Sequence, residues 1–157
     1  MVWMKQKSFL ARGRKRRGSA VLDAALVFPI LLSLTFGTVE FGYYFYVKHT
    51  LQGAAREGCR AGITPQGQDT DVTSAVVASL KAAGLQTSST TLDTTKFTLK
   101  IESPLGTTVS SGSLTAGNTL YVTVQGTWGT LGSGFRPLGL IGSNKVVVGT
   151  TAMRKEG

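Results

Sequence analysis

The chain has one cysteine, Cys59, and one histidine, His49, in 157 residues. A single cysteine excludes an internal disulfide, and the pair together cannot supply a Cys/His metal cluster. A Ser-His-Asp triad would have to be built on His49. The nucleophile elbow G-x-S-x-G, the phosphate loop G-x-x-x-x-G-K-[ST] and the dinucleotide fingerprint G-x-G-x-x-G are all missing. Gly132-Ser133-Gly134 has no third glycine at the needed spacing. These absences argue against an enzyme and against a bound cofactor or metal.

Acidic residues are also scarce, and none precedes Asp23. The 17 Lys and Arg face 8 Asp and Glu, for a formal charge of +9. Seven of the basic residues (Lys5, Lys7, Arg12, Arg14, Lys15, Arg16 and Arg17) lie ahead of Gly18. From Ser19 onward, ten basic residues against eight acids leave only +2. A basic tail of this kind can bind nucleic acid. Here it abuts an apolar run, so its expected role is to orient a membrane segment, with no nucleic-acid partner.

Ala20 to Val39 is twenty residues with one charge, Asp23, and eleven Val, Leu, Ile or Phe. At about 1.5 Å rise per residue it spans roughly 30 Å, the hydrocarbon thickness of a bilayer. The apolar side chains favour insertion by about 3–7 kcal/mol. Asp23 opposes it by about 3 kcal/mol at mid-membrane and less near the basic end, where it lies. The charge asymmetry keeps the N-terminus inside the lipid bilayer's cytoplasmic face and the rest outside. Tyr43, Tyr44 and Tyr46 fit an aromatic belt at the outer interface. Pro29 removes one helix hydrogen bond and should bend the span.

The helical period continues past the belt. Val47, Leu51, Ala54, Ala55, Gly58 and Ala61 form one stripe, Gly62 suits the C-terminal end, and Pro65 forbids continuation. Thr50, Ala54, Gly58 and Gly62 make a strip of small residues that allows close backbone approach. The domain's own sheet is its expected partner, and a neighbouring helix is the alternative. Asp69 or Asp71 can cap a second helix, with Val72, Val76, Leu80 and Ala83 on one face and Gly84 ending it.

The period then changes to two. Lys96–Glu102, Leu120–Val124 and Lys145–Met153 read as strands of an antiparallel sheet with one covered face. The segment 126–143 is rich in glycine and in large apolar residues. Packing on the sheet through Trp128, Phe135 and Leu138 is expected, with an exposed apolar loop as the alternative. Cys59 reads as a buried small apolar residue. The fold class is α+β, a long N-terminal helix on a small antiparallel sheet, with residues 1–18 a basic cytoplasmic leader, 19–47 a transmembrane helix and 48–157 an extracytoplasmic domain.

Gly18-Ser19-Ala20-Val21-Leu22-Asp23 carries its own chemistry. Small residues let a protease reach the backbone. A cut after Gly18 would remove all seven leader charges and leave an α-amine on Ser19, four residues from Asp23. A carboxylate in apolar surroundings needs such a partner, on its own helix turn or on a neighbouring subunit.

RRG before this junction, the acid five residues beyond Gly18, ALVFP, EFGYYFY and LQGAAREGCRAG together resemble the TadE-like family, pseudopilins of the tight-adherence (Tad/Flp) pilus system. The closing VVVGTTAMRKE is similar to the family's last strand. The resemblance implies a pilin-like fold and cleavage by a prepilin peptidase between Gly18 and Ser19. It implies an assembly and processing role for Asp23 (where the family usually has the longer Glu) and residence in the bacterial cytoplasmic membrane or a short pilus. The implied partners are that peptidase, other pilin and pseudopilin subunits, and the Tad assembly machinery. Glu40, three residues beyond Gly37, repeats the glycine-acid pattern at the wrong spacing and reads as a second intramembrane or interfacial acid. Two other readings compete: an unprocessed membrane-anchored binding or adhesion domain, and a secreted protein with a signal peptide.

Overall fold

The computed structural model describes residues 17–87, 90–131 and 137–156. The leader up to residue 16, the side chain of Ser19, and Phe135 lie outside the described residues.

Helix α1 (Arg17–Gly62) runs unbroken through Pro29. The chain divides into two compact units, Met1–Thr35 and Phe36–Gly157. In the first, α1 is exposed along every described side chain from Ala20 to Thr35. The Ser33 and Thr35 hydroxyls donate to the carbonyls of Pro29 and Leu31, at 2.6 and 2.8 Å. That back-bonding hides their polarity within the helix.

In the second unit α1 is the spine of an α+β domain. Its buried stripe is Gly37, Glu40, Val47, Leu51, Ala54, Ala55, Gly58, Cys59 and Gly62, with Tyr43 and Tyr44 half-buried between. The stripe therefore starts ten residues ahead of Val47, where the sequence reading began it. Helix α2 (Asp69–Ala82) buries Val72, Val76, Val77 and Leu80, as its period predicts, and Gly84 follows at φ +71°. Its cap differs from the expectation. Gln68 is the N-cap, and Asp71, three residues on, accepts the Gln68 N–H at 2.9 Å. Asp69 is turned to another partner, described below.

The strands are β1 (Phe97–Glu102), β2 (Thr119–Thr127) and β3 (Val146–Arg154), a three-stranded antiparallel sheet in sequence order. Val124 opposes Leu99 on one side and Gly149 on the other. Alternation places Phe97, Leu120, Val122, Val124 and Val147 in the core, while Thr98, Lys100 and Val148 are exposed. The helical turn α3 (Trp128–Leu131) follows β2 directly, and both of its end residues are buried. Val47, Leu51, Val76, Leu80, Phe97, Val124 and Trp128 form one apolar cluster, and Cys59, Val72, Leu120 and Val122 form a second.

The edge of β3 is tied to α1 by one side chain. Gln52 Nε2 donates to the Thr150 carbonyl at 2.6 Å, and the Thr150 N–H donates to Gln52 Oε1 at 3.2 Å. The amide thus occupies edge groups that another strand would otherwise pair with.

Candidate functional site

The junction predicted from sequence lies at the start of α1. Gly18 is exposed, and a Cβ added there would meet nothing within 4 Å. Asp23 is exposed one turn further on. Both lie in the unit that contains residues 1–35, where no described side chain is buried. Among the described residues, nothing packs against Gly18.

Glu40 is placed very differently. It is 0 % exposed, and its carboxylate accepts the N–H of Ile141 at 3.1 Å on Oε1 and that of Leu138 at 3.3 Å on Oε2. One acid on α1 thereby organises a turn about a hundred residues away, in which Gly139 adopts φ +61°. Sequence reasoning missed this partner because it is non-local. The signal that was available is the stripe itself, since Gly37, Glu40, Tyr44 and Val47 follow three- and four-residue spacings back from Leu51.

The tyrosines serve the domain. The Tyr43 and Tyr44 rings lie 5.8 and 5.2 Å from the ring of Trp128, the latter edge-on, and the Tyr46 hydroxyl donates to the Ala83 carbonyl at 2.7 Å. The segment 126–143 divides rather than choosing one of its two expected fates. Trp128 is fully buried, whereas Leu138 is 42 % and Leu140 58 % exposed. Leu138 therefore does not pack on the sheet as expected.

The small-residue strip is internal. Ala54 is fully buried. A Cβ on Gly58 would approach Val76 of α2 to 2.6 Å and Val122 of β2 to 3.4 Å. One on Gly62 would meet Leu120 and Val72, both at 2.7 Å. The strip thus receives both the sheet and α2, a helix of the same domain.

The remaining polar groups are structural. The Asp69 carboxylate accepts the Ser111 N–H at 2.7 Å and the Ser111 hydroxyl at 2.8 Å. Burial pushes its pKa up, but these bonds outweigh that and hold it below the ordinary value. The buried Lys155 ammonium donates to the Ser111 carbonyl at 2.5 Å, so one serine joins the start of α2 to the end of β3. Burial raises the Cys59 thiol to about 11, while its Sγ lies 3.3 Å from the Leu120 carbonyl. His49 is exposed. Among the described residues, no group of three or more His, Cys, Asp or Glu could hold a metal ion. An open groove of about 560 Å³ runs beside α2 and β1, and its one carboxylate, Asp69, is already engaged by Ser111.

Among the described residues, α1 is long and apolar enough to cross a membrane, and only 6 % of its apolar window is buried. Followed by an α+β domain, it defines a class: proteins with one N-terminal membrane-helix candidate and a small folded domain. Within that class, residues 18–60 match the family described as TadE-like protein. The matched residues begin at the junction glycine and end two residues before α1 does. The family is associated with the Tad pilus and is structural, not known for enzymes. No curated protein and no solved structure matches the chain.

Proposed function

We propose that this protein is a minor pseudopilin of a Tad-type pilus, made as a membrane precursor and processed by a prepilin peptidase between Gly18 and Ser19. The observation that carries the reading is the coincidence of a TadE-like segment with an exposed glycine at its first residue, one that no described residue contacts. In this reading residues 1–18 form a cytoplasmic leader, α1 spans the cytoplasmic membrane from residue 19 onward, and the sheet domain lies outside. Cleavage exchanges seven basic side chains for one ammonium group on Ser19. Asp23 then has a cation within reach, on its own chain or on the next subunit, and the pair would set the axial register between subunits. A carboxylate buried between subunits without such a partner would cost several kcal/mol. The domain's part is to present a folded outer surface to other pilus subunits and so to support attachment or secretion.

Replacing Gly18 tests this at the peptide bond. The Gly18→Phe variant should accumulate as a full-length membrane precursor, read by mass spectrometry of the membrane fraction. Normal shortening of that variant would exclude cleavage at this site. Asp23→Asn should still reach the membrane but fail to enter pili. Pilus incorporation at the unsubstituted level would remove Asp23 from the assembly role.

A further inference from the structure

The two edges of the sheet are treated differently. The outer side of β3 meets α1, where the Gln52 amide pairs with Thr150. β1 is the other edge. Backbone groups along an antiparallel strand alternate between its two sides. The Ile101 carbonyl accepts the Val109 N–H at 3.2 Å on the side away from β2. Phe97, Leu99 and Ile101 therefore turn their backbone outward, while Thr98, Lys100 and Glu102 pair with β2. At the start of the strand the Phe97 N–H donates to the Asp93 carbonyl at 2.9 Å. Both ends of the edge are thus closed. Between them, the Phe97 carbonyl, the Leu99 N–H and carbonyl, and the Ile101 N–H have no partner among the described residues.

This window is roughly 13 Å of extended chain, and it opens on the groove of about 560 Å³. Leu92, Leu99 and Val109 line that groove together with Thr73 of α2. Of the two charged side chains in the lining, Asp69 is engaged by Ser111. The other, Lys100, is exposed and has no ion pair among the described residues.

These features define an occupant. Donors and acceptors alternating along one line are the complement of an extended peptide backbone, and an open edge is a template for one. A second copy of this chain does not fit. Antiparallel pairing of two β1 strands about Leu99 would set Phe97 of one against Ile101 of the other. The Asp93 segment that closes the first and the Val109 segment that closes the second would then claim the same space. Parallel pairing in register would set the two Asp93 segments against each other. The occupant is a free extended segment without such closures, and Lys100 favours one that carries an acid.

We propose that the β1 edge between Phe97 and Ile101 binds an extended, acidic segment of another protein, which joins the sheet as a fourth strand. Leu99 and Ile101 donate to its backbone, Phe97 and Leu99 accept from it, its alternate side chains enter the groove, and its acid meets Lys100. The site belongs to the folded domain and is independent of processing at Gly18.

The test uses the full chain in detergent micelles and an array of end-capped synthetic heptapeptides that alternate apolar and polar residues, with and without a central aspartate. Aspartate-containing members should bind with dissociation constants below about 1 mM. N-methylation of one alternate set of amides in the best binder should weaken it at least tenfold, and N-methylation of the other set should change it little. Binding should slow hydrogen exchange at the Leu99 and Ile101 amides at least tenfold and leave the Lys100 amide, already paired with β2, as it was. No binding across the array, or binding that neither methylation set affects, overturns strand addition. Exchange at Leu99 and Ile101 that slows in the free protein as its concentration rises makes a second copy the occupant, and that also overturns the proposal. Lys100→Glu, at an exposed position, should weaken the aspartate peptides at least fivefold. Equal binding by that variant would dismiss the acidic preference.

Discussion

Gly149 shows how closely single atoms control this domain. A Cβ on it would lie 2.4 Å from the Gln52 nitrogen and from the Leu51 carbonyl carbon, so the β3 backbone rests directly on that of α1. Gly58 is also crowded, but the atom it would strike is a Val76 side-chain methyl and not backbone. Gly149→Ala should therefore cost about 1–3 kcal/mol, the usual range for overpacking, and Gly58→Ala should cost less. Denaturant midpoints of the two variants in the same detergent check the order, and equal midpoints would show that backbone contact is not the limiting feature. Cys59 yields a second expectation at this scale. Its pKa is raised from 9.0 to about 11, so the native state holds the thiol proton more tightly than the unfolded state. That contribution is complete below pH 9 and is lost as pH rises through about 11. The thiol should resist alkylation at pH 8 in the folded protein and react on unfolding. Rapid native alkylation would contradict its burial.

Among the elements, β3 is an edge strand whose outer side meets α1. Its Thr150 backbone is paired by the Gln52 amide, two hydrogen bonds each worth about 0.5–1.5 kcal/mol. Gln52→Ala should lower stability by about 1–2 kcal/mol and speed hydrogen exchange at the Thr150 amide. Unchanged exchange there would mean that the edge is guarded by something else. Elements with a local signal were legible from the sequence: α2 follows from Val72, Val76 and Leu80, β1 and β2 from alternation, and β3 from its β-branched run. What was not legible is what joins distant elements. Nothing near Gln52 in the sequence points to Thr150, and Glu40 gives no local sign of residues 138–141. The segment 126–143 was ambiguous for the same reason. Trp128 has Tyr43 and Tyr44 to pack against, while Leu138 and Leu140 face outward, and composition alone does not separate them.

At the scale of the whole molecule, one helix serves two solvents. Between Ala20 and Thr35 α1 is apolar and exposed all round; from Gly37 onward it has a single buried stripe. The expected boundary at residue 47 concerns where lipid ends, whereas packing of the domain begins at Phe36, so about ten residues belong to the domain on one face and are open on the other. Under the proposed function, lipid or a neighbouring subunit would use that open face. The candidate site remains a sequence expectation: spacing and the family resemblance single out Gly18 and Asp23, and the fold adds that both are exposed. Its proposed chemistry depends on a cleavage on which the fold itself does not bear.

The central claim is therefore settled at the first residue of the mature chain. N-terminal sequencing of the protein from bacterial membranes should read Ser19-Ala20-Val21-Leu22-Asp23. A chain that still begins at Met1, or one that begins beyond about residue 45, would contradict the pseudopilin account.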